Sequence, residues 1–126
     1  MSGRRQPVVL LVDDEAHVLS SLRRGLRRGK FTIRTAREGR GALEIMAAHS
    51  IDLVISDHRM PGMSGVELLT TIRTRWPQTE RILLSGWTEE ISPSELKAAG
   101  LFEVLSKPWD DGELRRAIRG ALALAD

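Results

Sequence analysis

The run Val8-Val9-Leu10-Leu11-Val12 constrains the fold more than any other stretch of this chain. It has no polar residue at alternate positions, so a strand built from it is apolar on both faces. Such a strand belongs inside a parallel sheet covered by helices on each side. Pro7 bounds the run at one end, and the acidic pair Asp13-Asp14 stops it at the other. The apolar stretch is too short for a secretory h-region or a membrane span, so a cytoplasmic protein with no membrane attachment is expected.

Beyond the run, helical and extended patterns alternate. Val18, Leu19, Leu22 and Leu26 recur at helical spacing, Arg23, Arg24, Arg27 and Arg28 fall on the opposite side, and Gly29 is the expected stop. The alternation then predicts a strand over 31–36, a helix over about 38–49, a strand over 52–56, a helix over about 64–75 and a strand over 81–84. A short helix, a strand over about 102–105 and a last helix over 110–124 complete five βα units. Ser64 with Glu67, and Asp110 with Glu113, have the spacing of a capping box. Ser92-Pro93-Ser94-Glu95 places a capping serine before a first-turn proline, so the fourth helix is expected to run from Pro93 to Gly100, after a loop over 87–91. Residues 1–6 read as a flexible tail and 7–126 as one domain. Alternating units of this kind form a doubly wound α/β sheet, which binds ligands outside the carboxyl ends of its strands.

The composition narrows the chemistry. No cysteine is present, which excludes disulfides, thiolate metal sites and a cysteine nucleophile. The net charge is +2, but residues 1–40 hold ten basic and four acidic side chains while the remainder is net acidic. The excess sits largely on the arginine face of the first helix. No helix-turn-helix, zinc or aromatic-stacking motif accompanies it, so direct nucleic-acid binding is not expected. Only three residues are lysines: Lys30, Lys97 and Lys107.

Four of the expected strands deliver polar groups to one edge. Asp13, Asp14 and Glu15 follow the first strand, Asp57 the third, Ser85 the fourth and Lys107 the fifth. Converging carboxylates repel one another, and a hard divalent cation with oxygen ligands relieves that repulsion; Mg2+ suits the set and leaves positions for phosphate oxygens. Lysine supplies a point charge for a phosphoryl group, a serine hydroxyl a hydrogen bond to it, and aspartate an acyl-phosphate nucleophile. The set points to phosphoryl transfer onto a carboxylate.

VVLLVDDE (8–15), SDHRMPGMSGVELL (56–69), RILLSGW (81–87) and LSKPW (105–109) together closely resemble the receiver domain of two-component response regulators. The resemblance covers essentially the whole chain. It implies a single-domain flavodoxin-like (βα)5 fold with strand order 2-1-3-4-5, and a regulatory phosphoacceptor rather than an enzyme. It assigns Asp57 as phosphoacceptor, Asp13 and Asp14 as the acidic pair serving Mg2+, and the backbone carbonyl of Arg59 as a further ligand beside Asp57. Ser85 matches the hydroxyl and Lys107 the ammonium that engage the phosphoryl group, and Lys107-Pro108 matches a cis peptide bond. Met60-Pro61-Gly62 and Gly65 match the loop that shapes the site. Arg59 and Trp87, each two residues past a site residue, match positions that flank the phosphoryl group and affect its hydrolysis.

The implied partners are a sensor histidine kinase or phosphotransfer protein, meeting the basic face of the first helix, and an output domain or downstream effector. RMPGMSG, RILLSG and KPWDD are most similar to receivers fused to HD-GYP phosphodiesterases or hydrogenase-type transcription activators. A homodimer through the fourth helix, fifth strand and fifth helix is a further implication, with Trp109, Arg115, Arg116 and Arg119 as candidate contributors. The chain departs from the family at Val104, where many receivers carry a switch aromatic; Phe102 in the same expected strand reads as core. Two alternatives remain: an interaction module working without phosphorylation, and a Mg2+-dependent phosphohydrolase, which would need a second carboxylate near Asp57. The three histidines, His17, His49 and His58, show no metal spacing and read as surface residues.

Overall fold

The computed structural model describes residues 6–86 and 91–124. In chain order its elements are β1 (Val8–Val12), α1 (Ala16–Gly25), β2 (Thr32–Ala36), α2 (Gly39–Ala48) and β3 (Leu53–Asp57), followed by α3 (Gly65–Arg75), β4 (Glu80–Gly86), α4 (Pro93–Ala99), β5 (Glu103–Lys107) and α5 (Asp111–Ala121). All strand pairs are parallel and the order is β2-β1-β3-β4-β5, as the resemblance implies. No helix among the described residues is long and apolar enough to cross a membrane.

Alternate residues of each strand feed two separate cores, because successive side chains leave a sheet on opposite faces. Val9, Leu11, Leu53, Ile55, Ile82 and Leu84 pack against α1 and α5 through Leu22, Leu114 and Ile118. Leu10, Val12, Val54 and Leu83 pack on the other side against Ala42 and Met46 of α2, Leu68, Leu69 and Ile72 of α3, and Ala99 of α4. Burial on both faces thus holds for β1, β3 and β4. The edge strands differ: β2 and β5 each pair with one neighbouring strand only and are largely exposed or half-buried.

Several boundaries correct the sequence reading. The first helix stops at Gly25 and not at Gly29, its end tightening into turns in which Leu26 N–H donates to the Leu22 and Arg23 carbonyls and Gly29 N–H to that of Leu26. The last helix stops at Ala121 rather than Leu124. Ala123 turns left-handed at φ 55° and Leu124 N–H reaches back 2.8 Å to the Arg119 carbonyl, a Schellman closure. Asp52 precedes β3 instead of opening it: its carboxylate accepts the Val8 N–H at 2.8 Å and pins the start of β1. The boxes at Ser64 and Ser92 both form, and each serine accepts the N–H of the glutamate three residues on. Asp110 caps α5 through the Gly112 N–H at 2.9 Å, not through Glu113. Residues 1–5 of the expected tail lie outside the described residues.

Candidate functional site

Because every strand runs the same way, their carboxyl ends share one edge, and register decides which side chains meet there. Asp57 is the last residue of β3 and pairs with Leu84; Ser85 is the penultimate residue of β4, and Lys107, the last of β5, pairs with Gly86. Asp57, Ser85 and Lys107 therefore belong to the strands themselves and inherit their rigidity, where the sequence reading put them just beyond. Asp13 is tied to the sheet by its N–H to the Ala36 carbonyl at 3.1 Å.

These positions bring three carboxylates together. One oxygen from each of Asp13, Asp14 and Asp57 lies within 4.8 Å of the others. Asp13 is 0% and Asp57 3% exposed. The Lys107 ammonium enters the group from β5, 2.5 Å from Asp57 Oδ1 and 3.6 Å from Asp13 Oδ2. Burial drives the Asp13 pKa up from 3.8 to about 6; the Glu15 N–H, 2.9 Å from Oδ1, opposes the rise, Asp57 adds to it, Lys107 opposes it and Asp14 adds a little more. One lysine does not neutralise the cluster.

The supporting backbone is tightly specified. Gly65 opens α3 with its N–H on the His58 carbonyl at 2.8 Å, and a Cβ there would overlap the backbone carbonyl of Asp57. The Ser56 hydroxyl donates to that same Asp57 carbonyl at 2.8 Å. Met60, Pro61 and Gly62 form the turn between β3 and α3, with Gly62 at φ 79°, a conformation suited to glycine. The Lys107-Pro108 bond is cis, as the resemblance implies.

Asp13, Asp14, Asp57 and Lys107 are thus brought together. The Ser85 hydroxyl, half-buried at the same edge, donates to the Gly86 carbonyl at 3.2 Å. Arg59 is exposed on the loop after Asp57, and Trp87 lies outside the described residues. His17 and His49 are on the surface, but His58 is half-buried with its Nδ1 enclosed, which corrects its reading as a surface residue. Phe102 is not core: it is 45% exposed, precedes β5 and lies over Gly120 of α5, while Val104 is 43% exposed. Of the residues assigned to a fourth-helix to fifth-helix face, Arg115 points toward α1, its Nη1 3.5 Å from the Gly25 carbonyl. Trp109 packs into the α1–α5 core.

Sequence reasoning missed two arginines. Arg37, after β2, donates to the Asp14 carbonyl at 2.9 Å and braces the acidic loop. Arg81, at the start of β4, is only 7% exposed. An arginine opening a strand is ordinarily solvated; the signal for burial was its place in the pattern RILLS, directly before an apolar run.

The donor set fits a hard cation. Asp13 Oδ2 is buried and has no hydrogen-bond donor among the described residues, only the ammonium 3.6 Å away. The group found among the described residues is made of three carboxylates alone, which suits Mg2+, a cation that prefers oxygen ligands and retains water.

Known proteins share this fold. Residues 9–119 match the response regulator receiver domain family. The chain is 34% identical over 119 residues to the hydrogenase transcriptional regulatory protein HoxA of Cupriavidus necator, covering 94% of this chain and 24% of that protein. It is 36% identical to the response regulator protein PilR of Pseudomonas aeruginosa, covering 91% and 26% respectively. The chain therefore spans about a quarter of the length of these relatives. Among solved structures, the signal receiver domain of an HD domain-containing protein from Pseudomonas fluorescens Pf-5 superposes with a TM-score of 0.87 at 36% identity, covering 98% of this chain and 91% of that one. With the strand order, the acidic edge and the family match in agreement, the chain belongs to the receiver domain family of two-component response regulators.

Proposed function

We propose that Asp57 is the residue that carries the phosphoryl group in this receiver, with Lys107 and Ser85 engaging it and a Mg2+ ion held by Asp13, Asp14, Asp57 and the Arg59 carbonyl. The observation that carries this reading is the Lys107 ammonium 2.5 Å from a nearly buried Asp57 carboxylate, inside a group of three acids. An Asp57 oxygen attacks the phosphorus of a phosphohistidine on a partner kinase or phosphotransfer protein. The O–P bond forms as the P–N bond breaks, and the departing imidazole takes a proton from water. Mg2+, when bound, supplies positive charge to the phosphoryl oxygens. The chain's own part is to fix the nucleophile through β3, to hold the compensating ammonium on β5, and to keep the site in a low-dielectric edge where that charge counts.

The exposed arginines Arg23, Arg24, Arg27 and Arg28, in the last turn of α1 and just after it, offer a basic surface to the phosphodonor. The phosphorylated domain acts on an output domain or effector in the cytoplasm, a regulatory role supported by relatives about four times its length. Incubation with acetyl phosphate and Mg2+, followed by intact mass measurement, tests the reading. The wild type should gain the mass of one phosphoryl group and Asp57→Asn should not; equal labelling of both would overturn it.

A further inference from the structure

Helix α4 is attached to the domain in an uneven way. Its amino end is capped by its own residues: Ser92 Oγ accepts from Glu95 N–H at 3.2 Å, and the Glu95 carboxylate accepts from Ser92 N–H at 3.0 Å. Those bonds stay within the helix. Ser92 to Glu95 are exposed, Leu96 is half-buried, and Ala99 is the helix's only fully buried residue.

The carboxyl end is held quite differently. A helix leaves its last carbonyls without intrahelical partners. Here two arginines from neighbouring elements take them up. Arg73 of α3 donates from Nη1 to the Lys97 carbonyl at 2.9 Å and the Ala98 carbonyl at 3.2 Å. Arg81 of β4 donates from Nε to the Ala99 carbonyl at 3.0 Å, from Nη2 to the Gly100 carbonyl at 3.0 Å, and from Nη1 to the Thr79 carbonyl at 2.6 Å. Gly100, left-handed at φ 58°, makes room for Arg73, since a Cβ there would sit 2.7 Å from its Nε. The rigid guanidinium fork suits Arg81 to this task in a way a single ammonium would not.

Arg81 also shares a strand face with the site. Residues two apart on a strand point the same way, so Arg81, Leu83 and Ser85 line the face of β4 that turns toward α4. The β5 route, by contrast, has only the exposed Val104 where a ring would swing.

We infer that Arg81 is a positioning residue that couples the Ser85 end of β4 to α4: when Ser85 engages a phosphoryl group, the displacement of β4 reaches the carboxyl end of α4 through the guanidinium, with Arg73 as a secondary tie. This rests on the receiver reading above. It places the output of this domain on β4 and α4, independent of an aromatic on β5.

Hydrogen exchange of α4 with and without beryllofluoride and Mg2+, a mimic of the phosphoryl group, tests the coupling, with fluorine NMR reporting occupancy of the site separately. In the wild type the amides of Leu96 to Gly100 should change exchange rate severalfold on binding. In Arg81→Met the mimic should still bind while most of that change disappears. Arg73→Gln, at an exposed position, should raise basal exchange of α4 yet keep the response. Should Arg81→Met fail to fold, Arg81→Lys takes its place: it keeps a buried cation, cannot span the three carbonyls, and should also lose most of the response. A full response in the Arg81 variant with the site occupied would overturn the coupling. A wild type that binds no mimic would overturn the receiver reading, and the coupling with it.

Discussion

The Lys107 ammonium reaches across the end of β4 to lie 2.5 Å from Asp57 Oδ1, so residues on two strands that are not neighbours in the sheet form the closest charge contact of the site. Removing the cation takes away the ammonium that lies between Asp13 and Asp57 at the centre of the acidic group. Lys107→Met should therefore slow phosphoryl uptake from acetyl phosphate by about 10- to 100-fold, the worth of a charge-assisted hydrogen bond of about 1.5–3 kcal/mol. The time course of the mass gain measures it, and a rate within about threefold of wild type would remove Lys107 from the mechanism.

The raised pKa of Asp13 gives the metal-free domain a characteristic pH dependence. A folded-state pKa of about 6 against 3.8 means that stability from the neutral carboxyl is complete below the lower value and lost as pH rises through the higher. Thermal unfolding in EDTA should show stability falling by about 3 kcal/mol in all from below pH 3.8 to about pH 7, of which about 1–1.5 kcal/mol is lost between about pH 5 and pH 7.5. Mg2+ binds the ionised form, so the stabilisation it adds should grow over the same interval. A metal-free midpoint that stays flat would contradict the account of Asp13.

Two glycines near the site separate close approach from backbone freedom. Gly65→Ala drives a methyl group into the Asp57 carbonyl, forcing α3 away from β3, and should cost about 3 kcal/mol or more in a urea titration. Gly62→Ala meets nothing within 4 Å and bears only the left-handed penalty, about 1–2 kcal/mol. Equal losses would show that α3 has room at Asp57.

The parts of the fold that were legible in the sequence are those where one physical requirement acts alone. Val8 to Val12 could be apolar throughout only in a covered parallel sheet, and Ser64 and Ser92 mark helix starts because a local hydrogen bond decides them. Helix ends were less legible. Gly29 is a better stop signal than Gly25, yet the helix ends where α1 passes close over Asp111 of α5, a tertiary contact with no local trace. Asp13, Asp14, Asp57 and Lys107 were readable together because parallel strands send their carboxyl ends to one edge. Phe102 misled because hydrophobicity says nothing about whether a strand is at the edge of its sheet. Arg81 was invisible as a buried group because its partners are backbone carbonyls, which carry no sequence identity.

The most direct test of the central claim is to locate the phosphoryl bond. After labelling with acetyl phosphate and Mg2+, borohydride reduction converts an aspartyl phosphate to homoserine, and peptide mass mapping identifies the residue. The account predicts homoserine at position 57 and unmodified Asp13 and Asp14. Homoserine at either of those residues, or label retained without any acyl phosphate, would contradict it.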